Sequence, residues 1–220
     1  MTPRGPIALD GPVASGKSTV GLGIARRLGW TFIDTGLLYR VVGLLALRIE
    51  PPARSDESLE RIAVEAEMRI DSMSVHVNGE DVTALIHSAE VAQMASRVAE
   101  LSPVRRALVT KQREMAAQAG GSVVMAGRDI GTVVLRDAPI KIYLDASPEA
   151  RAGRRFEEER ARGTPRTFTD VLADLRERDR RDAERADSPL RPAPDARRLV
   201  TDSLSVEQVI DRVLDHVRGN

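Results

Sequence analysis

Gly11-Pro12-Val13-Ala14-Ser15-Gly16-Lys17-Ser18 fits the spacing G-x-x-x-x-G-K-[ST], and residues of those types in that order suit the holding of a polyphosphate. The glycines let backbone N–H groups turn inward, and a helix starting behind them adds partial positive charge. On this reading Lys17 reaches the β- and γ-phosphates and the Ser18 hydroxyl ligates Mg²⁺. The competing reading is a glycine-rich turn that matches by chance. The flanks argue against chance: the apolar run Ile7-Ala8-Leu9 reads as a short buried strand, and residues 19–28 are apolar at helical spacing.

Three further groups could handle an anion. Asp34-Thr35-Gly36-Leu37-Leu38-Tyr39-Arg40 runs from a strand end into a helix, where helix N–H groups and Arg40 could meet a ligand; an N-cap Thr35 with a surface Arg40 would look the same. Gly127-Arg128-Asp129 lies at another strand end with Gly131 close by. Glycines on both sides favour close backbone approach and a ligand contact, although an internal salt bridge has the same signature. Finally, Arg178, Asp182 and Arg185 lie at i, i+4 and i+7 of an expected helix, with Arg181 alongside, so they share one face. Alone they would read as a solvated charge ladder. Beside a phosphate loop they also suit the charge of a transferred phosphoryl group.

These groups need a scaffold, and the chain alternates the elements for one. Strands are expected at 30–33, 122–125, 140–144 and 198–200, besides the one before the loop. Helices are expected at 37–48, 56–67, 88–99, 104–118, 149–161, 170–186 and after the Ser205/Gln208 capping box. Ser102 reads as the N-cap of the 104–118 helix with Pro103 at its first position, and Gly120-Gly121 ends it. Residues 51–55 break the second helix, 163–169 form a loop, and Pro189, Pro192 and Pro194 mark an irregular stretch. The texture changes at 73–83, where alternating residues flank Asn78-Gly79, a type I′ hairpin signal. Strands separated by helices of this length predict a parallel sheet covered on both faces, with ligands at the strands' carboxyl ends.

Composition narrows the class. With 220 residues, 42% hydrophobic and 30% charged, the chain can bury a core and is not disordered. Zero formal net charge argues against binding a nucleic acid polymer through a general basic field. Absence of cysteine excludes disulfides, thiol catalysis and Cys-based zinc sites. The N-terminus lacks a signal-peptide core and the longest apolar run, 41–47, is far below membrane-spanning length, so a cytoplasmic protein is expected. Of 33 basic residues only Lys17, Lys111 and Lys141 are lysines. Genomic base composition explains most of that bias, although arginine also binds phosphate bidentately.

The segments GPVASGKST, DTGLLYR, NGEDVT, VRRAL, GRDIGTVV, KIYLDAS and RERDRRDAERADSPL resemble, in order and over essentially the whole chain, the bacterial cytidylate (CMP) kinases. GRDIGT together with the DTG-x-x-YR segment is specific; the phosphate loop alone is not. The resemblance implies a P-loop three-layer α/β/α fold with a parallel sheet, a small antiparallel insert and a short lid. It implies one kinase chain: a core of 1–34, 102–150 and 187–220, a monophosphate-binding region of about 35–101, a lid of about 151–169 and an arginine helix at 170–186.

The same likeness assigns roles. Residues 11 to Thr19 would hold the phosphates of ATP. Arg40, Arg128 and Arg178 would bind the acceptor's phosphate or the moving phosphoryl group, with Arg185 beside them. Asp182 would bond the acceptor ribose, and Thr35 and Tyr39 would line that site. Ser96, Arg105 and Asp129 would read cytosine: a carboxylate suits the N4 amine, a guanidinium or hydroxyl suits N3 and O2, and uracil would leave Asp129 unpaired. Arg154 and Arg155 would close the lid over ATP and exclude water. Lys17, Arg128, Arg178 and Arg185 would neutralise charge in an in-line transfer with Mg²⁺, with no covalent intermediate and no dedicated general base.

Two departures stand out: Thr35 where many relatives have Ser, and Ala126 where some have an acidic residue, which leaves any support of Mg²⁺ waters to another carboxylate such as Asp10. Asp145 mimics a metal-binding aspartate but is expected to be structural. A monomer is expected from the charged faces. The rival readings are a kinase for UMP, dTMP or shikimate, which would lack the cytosine set, and a nucleotide switch, which the absence of any Asn-Lys pair disfavours.

Overall fold

The computed structural model describes residues 5–49, 55–71, 74–161, 163 and 166–219. A five-stranded parallel sheet is ordered β2 (Thr31–Asp34), β6 (Val123–Gly127), β1 (Ile7–Asp10), β7 (Ile140–Asp145), β8 (Arg197–Val200). Alternate strand residues face opposite layers, as the two-residue period of a strand demands. Ile7, Leu9, Val124, Ile142 and Leu144 pack with α1 (Lys17–Leu28) and α8 (Val206–Gly219). Ala8, Val123 and Met125 pack into the opposite layer, with α2 (Gly36–Arg48), α3 (Asp56–Glu65), α4 (Ala89–Val98) and α5 (Ser102–Gln118). This is the three-layer α/β/α architecture expected of the chain.

Register brings the carboxyl ends level. Asp10 lies opposite Gly127 and Tyr143, and Asp34 lies opposite Ala126. The strand ends therefore present Asp10, Asp34 and the Gly127-Arg128-Asp129 turn along one edge of the sheet. Beyond that edge stand α6 (Pro148–Ala161) and α7 (Phe168–Glu184), joined by a small core of Ala152, Val171 and Leu175 against which Val13 of the loop packs.

The antiparallel insert is richer than the pattern suggests. Asn78 (φ 50°) and Gly79 (φ 83°) turn β4 (Ser74–Val77) into β5 (Glu80–Asp81) as expected, but β3 (Met68–Asp71) adds a third strand on β4. A strand that short carries too few alternations to be read from sequence. The expected return strand stops at Asp81 because the Thr83 hydroxyl, not a ladder carbonyl, accepts the Val75 N–H at 2.9 Å.

Two helix boundaries are corrected. Ser102 sits inside α5; Leu101 is its N-cap and makes no side-chain bond. α7 starts earlier than residue 170, because Thr167 caps it by accepting the Asp170 N–H at 3.1 Å, and it ends at Glu184 with Arg185 as an extended C-cap. The Ser205/Gln208 capping box is formed reciprocally, at 2.9 and 3.2 Å. Expectations for Met73, the break at 51–54 and positions 164–165 of the loop fall outside the described residues.

Candidate active site

The phosphate loop is built from backbone. Gly11 (φ 149°) and Gly16 (φ 93°) take up conformations that side chains resist, and a Cβ on Gly11 would meet the Leu144 carbonyl oxygen at 2.1 Å. Gly16 is also the cap of α1, so the helix opens directly onto the loop. Buried Lys17 donates to the Pro12 carbonyl at 2.6 Å and to Ser15 Oγ at 3.3 Å. Burial pushes its ammonium well below the ordinary lysine range, and the Arg128 guanidinium pushes it further. An anion beside it would favour the charged form. A cleft of about 430 Å³ lies over the loop, bounded by Arg154, Arg155, Thr201, Leu204 and Val206.

Ser18 Oγ donates to Asp34 Oδ2 at 2.5 Å, while Asp34 Oδ1 accepts the Gly36 N–H at 3.0 Å. A carboxylate thus stands beside Ser18, on the strand neighbouring Ala126 and level with it in register. Sequence reasoning passed over Asp34 because it read the residue only as a strand end. Asp10 is engaged elsewhere, its two oxygens accepting the Ile130 and Gly131 N–H groups, each at 2.7 Å. Those bonds shape the turn after Gly127, which continues into residues 130–135 closed by a Leu135 N–H to Ile130 carbonyl bond of 2.7 Å. Burial raises the Asp10 carboxyl to about 6.

A second cleft, of about 980 Å³, lies between α2 and α4 on one side and α6 and α7 on the other. Arg40, Ser96, Arg155, Arg178 and Arg181 line it. Arg155 borders both clefts. Arg40 is held by the Ile86 carbonyl at 2.8 Å, and Ser96 Oγ accepts from Arg181 at 3.4 Å.

A buried network lies apart from the residues that line these two clefts. Arg128 Nε donates to Asp182 Oδ2 at 2.7 Å, and Arg185 donates to the other oxygen of the same carboxylate. Arg105 Nη2 donates to Asp129 Oδ2 at 2.5 Å and the Arg105 guanidinium stacks over the Tyr39 ring at 5.6 Å. Burial pushes the Tyr39 phenol up to about 12. Arg178 feels burial first and then Arg128, Arg40 and Arg185, and its guanidinium falls to about 10. Among the described residues the buried Nε atoms of Arg105, Arg178 and Arg185 have no hydrogen-bond partner. Buried donors left unmatched cost free energy unless a ligand meets them.

The structure thus brings together Arg128, Asp182 and Arg185, and separately Arg105, Asp129 and Tyr39. It does not bring the Ser96 hydroxyl into hydrogen bonding with Arg105 or Asp129. Thr35 turns inward, donating to the Ala126 carbonyl at 2.9 Å. Arg154 is anchored on the Thr201 carbonyl at 2.6 Å and Arg155 on Glu159 at 2.7 Å. Asp145 accepts from Arg198 Nε at 2.8 Å. Among the described residues no group of three or more His, Asp or Glu side chains could hold a metal ion, and no helix is long and apolar enough to cross a membrane.

Known proteins share this outline. The cytidylate kinase family model matches residues 7–219. A cytidylate kinase of Solibacter usitatus is 44% identical over 215 residues, covering 97% of this chain and 92% of that protein. One of Geobacillus kaustophilus is 44% identical over 221 residues, covering 99% and 98%. Among solved structures, an uncharacterized protein from Eubacterium ventriosum superposes with a TM-score of 0.56 at 14% identity, covering 97% and 98%. A gluconokinase from Sinorhizobium meliloti gives 0.51 at 15%, covering 100% and 94%; at such identities the likeness speaks to the fold alone. By the extent of the family match and the near-complete coverage of its relatives, the chain belongs to the cytidylate kinase family and is a kinase, a phosphotransferase.

Proposed function

We propose that the chain phosphorylates CMP and dCMP with ATP and Mg²⁺. An oxygen of the acceptor's α-phosphate attacks the γ-phosphorus in line. The bond from that phosphorus to the β,γ-bridging oxygen breaks, and CDP (or dCDP) and ADP leave. The acceptor oxygen is already anionic at neutral pH, so no general base is required. The observation that carries this reading is the convergence of Arg40, Arg128 and Arg185 on buried Arg178, whose guanidinium burial and these three cations depress, with Arg128 acting on Lys17 as well. So many cations at close quarters suit two polyanions meeting, and the unmatched Nε donors of Arg178 and Arg185 are suited to phosphoryl oxygens.

The residues present fit a magnesium ion. Ser18 and Asp34 form an oxygen pair at the foot of the loop, and Mg²⁺ favours one or two protein oxygens completed by phosphates and waters. Held there, the ion would neutralise phosphate charge and help to spread the charge that develops in transfer. The loop backbone from Gly11 to Thr19 cradles the donor, and Arg154 and Arg155 border its cleft.

For the base, the buried Arg105–Asp129 pair supplies both senses of hydrogen bond: a carboxylate for the N4 amine and a guanidinium, with Nε unmatched, for N3 or O2. Ser96 would join on closure of the cleft. Residues 35–101 serve as the monophosphate-binding region and 151–169 as the lid. A cytoplasmic monomer fits the cysteine-free composition and charged faces. ADP release from Mg·ATP against CMP, dCMP, UMP, dTMP, AMP, GMP and shikimate tests the proposal. Turnover confined to CMP and dCMP is expected; turnover of another acceptor would discard the base-reading set, and silence would sink the kinase chemistry.

A further inference from the structure

Arg151 belongs to neither phosphate-binding nor base-reading sets, yet it is among the most buried charges of the chain, at 3% exposure. Its guanidinium uses its donors on three separate pieces of the chain. Nε donates to the Ala146 carbonyl at 3.0 Å, at the start of its own helix. Nη1 donates to the Val13 carbonyl of the phosphate loop at 3.2 Å. Nη1 and Nη2 also grip the Asp179 carboxylate of α7 at 3.0 and 2.6 Å. The two-point geometry of an arginine–carboxylate pair fixes orientation as well as distance.

Asp179 is the next residue after Arg178 and stands one turn before Asp182, the carboxylate that holds Arg128 and Arg185. Setting Asp179 against Val13 therefore sets the rotation and height of the arginine helix relative to the donor loop. Val13 also touches the small apolar core between α6 and α7, so the polar tie and the apolar contact act at the same point. In-line transfer needs the donor phosphate and the arginines that meet it in register, and small misplacements are costly.

We infer that Arg151 and Asp179 form a positioning pair for phosphoryl transfer, locking the arginine helix to the phosphate loop without touching either nucleotide. The inference rests on the kinase reading above. Its test uses the full chain as wild type, Asp179→Asn and Arg151→Lys. Asparagine keeps the shape of Asp179, which is partly exposed, and lysine keeps the charge of Arg151 without its fork. The readouts are kcat and KM for ATP and for the acceptor the wild type turns over, the ADP formed without matching diphosphate product, and the unfolding midpoint.

Both variants should lose about 10- to 100-fold in kcat with each KM within about threefold, and the share of ATP lost to water should rise. A loss matched by the unfolded fraction, a change confined to KM, or kcat within twofold of wild type in both variants would overturn the pair's positioning role while leaving the kinase reading intact. Wild type silent with every acceptor would overturn both.

Discussion

The proposed donor and acceptor sides of this molecule are made by different means. The phosphate loop is one continuous stretch between β1 and α1, its cradle is backbone, and its shape follows from three residues with positive φ, Gly11, Ala14 and Gly16. The acceptor side is made of side chains that meet from far apart in sequence: Arg105 from α5, Arg128 and Asp129 from the turn after β6, Asp182 from α7 and Arg185 just beyond it. The loop's shape is therefore set locally, with Arg151 and the small core between α6 and α7 tying it to the rest of the molecule at Val13. The network's geometry is shared, and losing one member exposes the others to burial without a partner.

Lys17→Ala breaks the donor side most directly. It should lower kcat by about 10³-fold with every acceptor and leave the unfolding midpoint almost unchanged; steady-state rates with two acceptors check this, and a loss specific to one acceptor would blur the division. Asp182→Ala attacks the other side and should cost stability as well as rate, because Arg128 and Arg185 are left buried and unpaired. About 3–5 kcal/mol is expected in urea unfolding. A loss below about 1 kcal/mol would mean that water replaces the carboxylate.

Asp129→Ala sharpens the contrast within the acceptor side. It should reduce discrimination between CMP and UMP, read as the ratio of kcat/KM values, by about 1–3 kcal/mol. Equal losses for both acceptors would make the residue scaffold rather than base reader. The smallest effect is expected at Asp10, which ends β1 below the loop and holds the turn carrying Arg128. Burial raises its carboxyl to about 6 from 3.8, so the folded chain binds that proton more tightly than the unfolded one. The stability this contributes is complete below about pH 3.8 and lost as pH rises through about 6. Relative to Asp10→Asn, wild type should lose on the order of 1–2 kcal/mol between pH 4 and 7 in unfolding titrations; a flat difference would show an ordinary carboxyl.

The fold was largely legible because its periodicities are strong. Apolar runs in β1, β6 and β7 and helix-period segments between them leave few arrangements besides a covered parallel sheet. The misses have local causes. β3 is four residues long; Ser102 looked like a cap, yet Leu101 holds that position; Arg185 continued a helical spacing that the backbone had already left. Asp34 and Arg151 were passed over for a different reason. Arg151 belongs to no motif and Asp34, although it opens the DTG-x-x-YR segment, was given no role there; each is informative only through its neighbours, Ser18 for Asp34, and Val13 with Asp179 for Arg151.

The sequence by itself determined the phosphate loop, the alternation of strands and helices, and the family to which the chain belongs, because glycine spacing and apolar period act over a few residues. Tertiary structure alone decided which charges pair. It gave Asp182 to both Arg128 and Arg185, Asp129 to Arg105, Asp10 to the backbone of residues 130 and 131, and Arg151 to the loop and the arginine helix together. A buried ion pair depends on the distance, orientation and desolvation of both partners. Those quantities exist only once the strands have set their carboxyl ends level and the helices have packed across them.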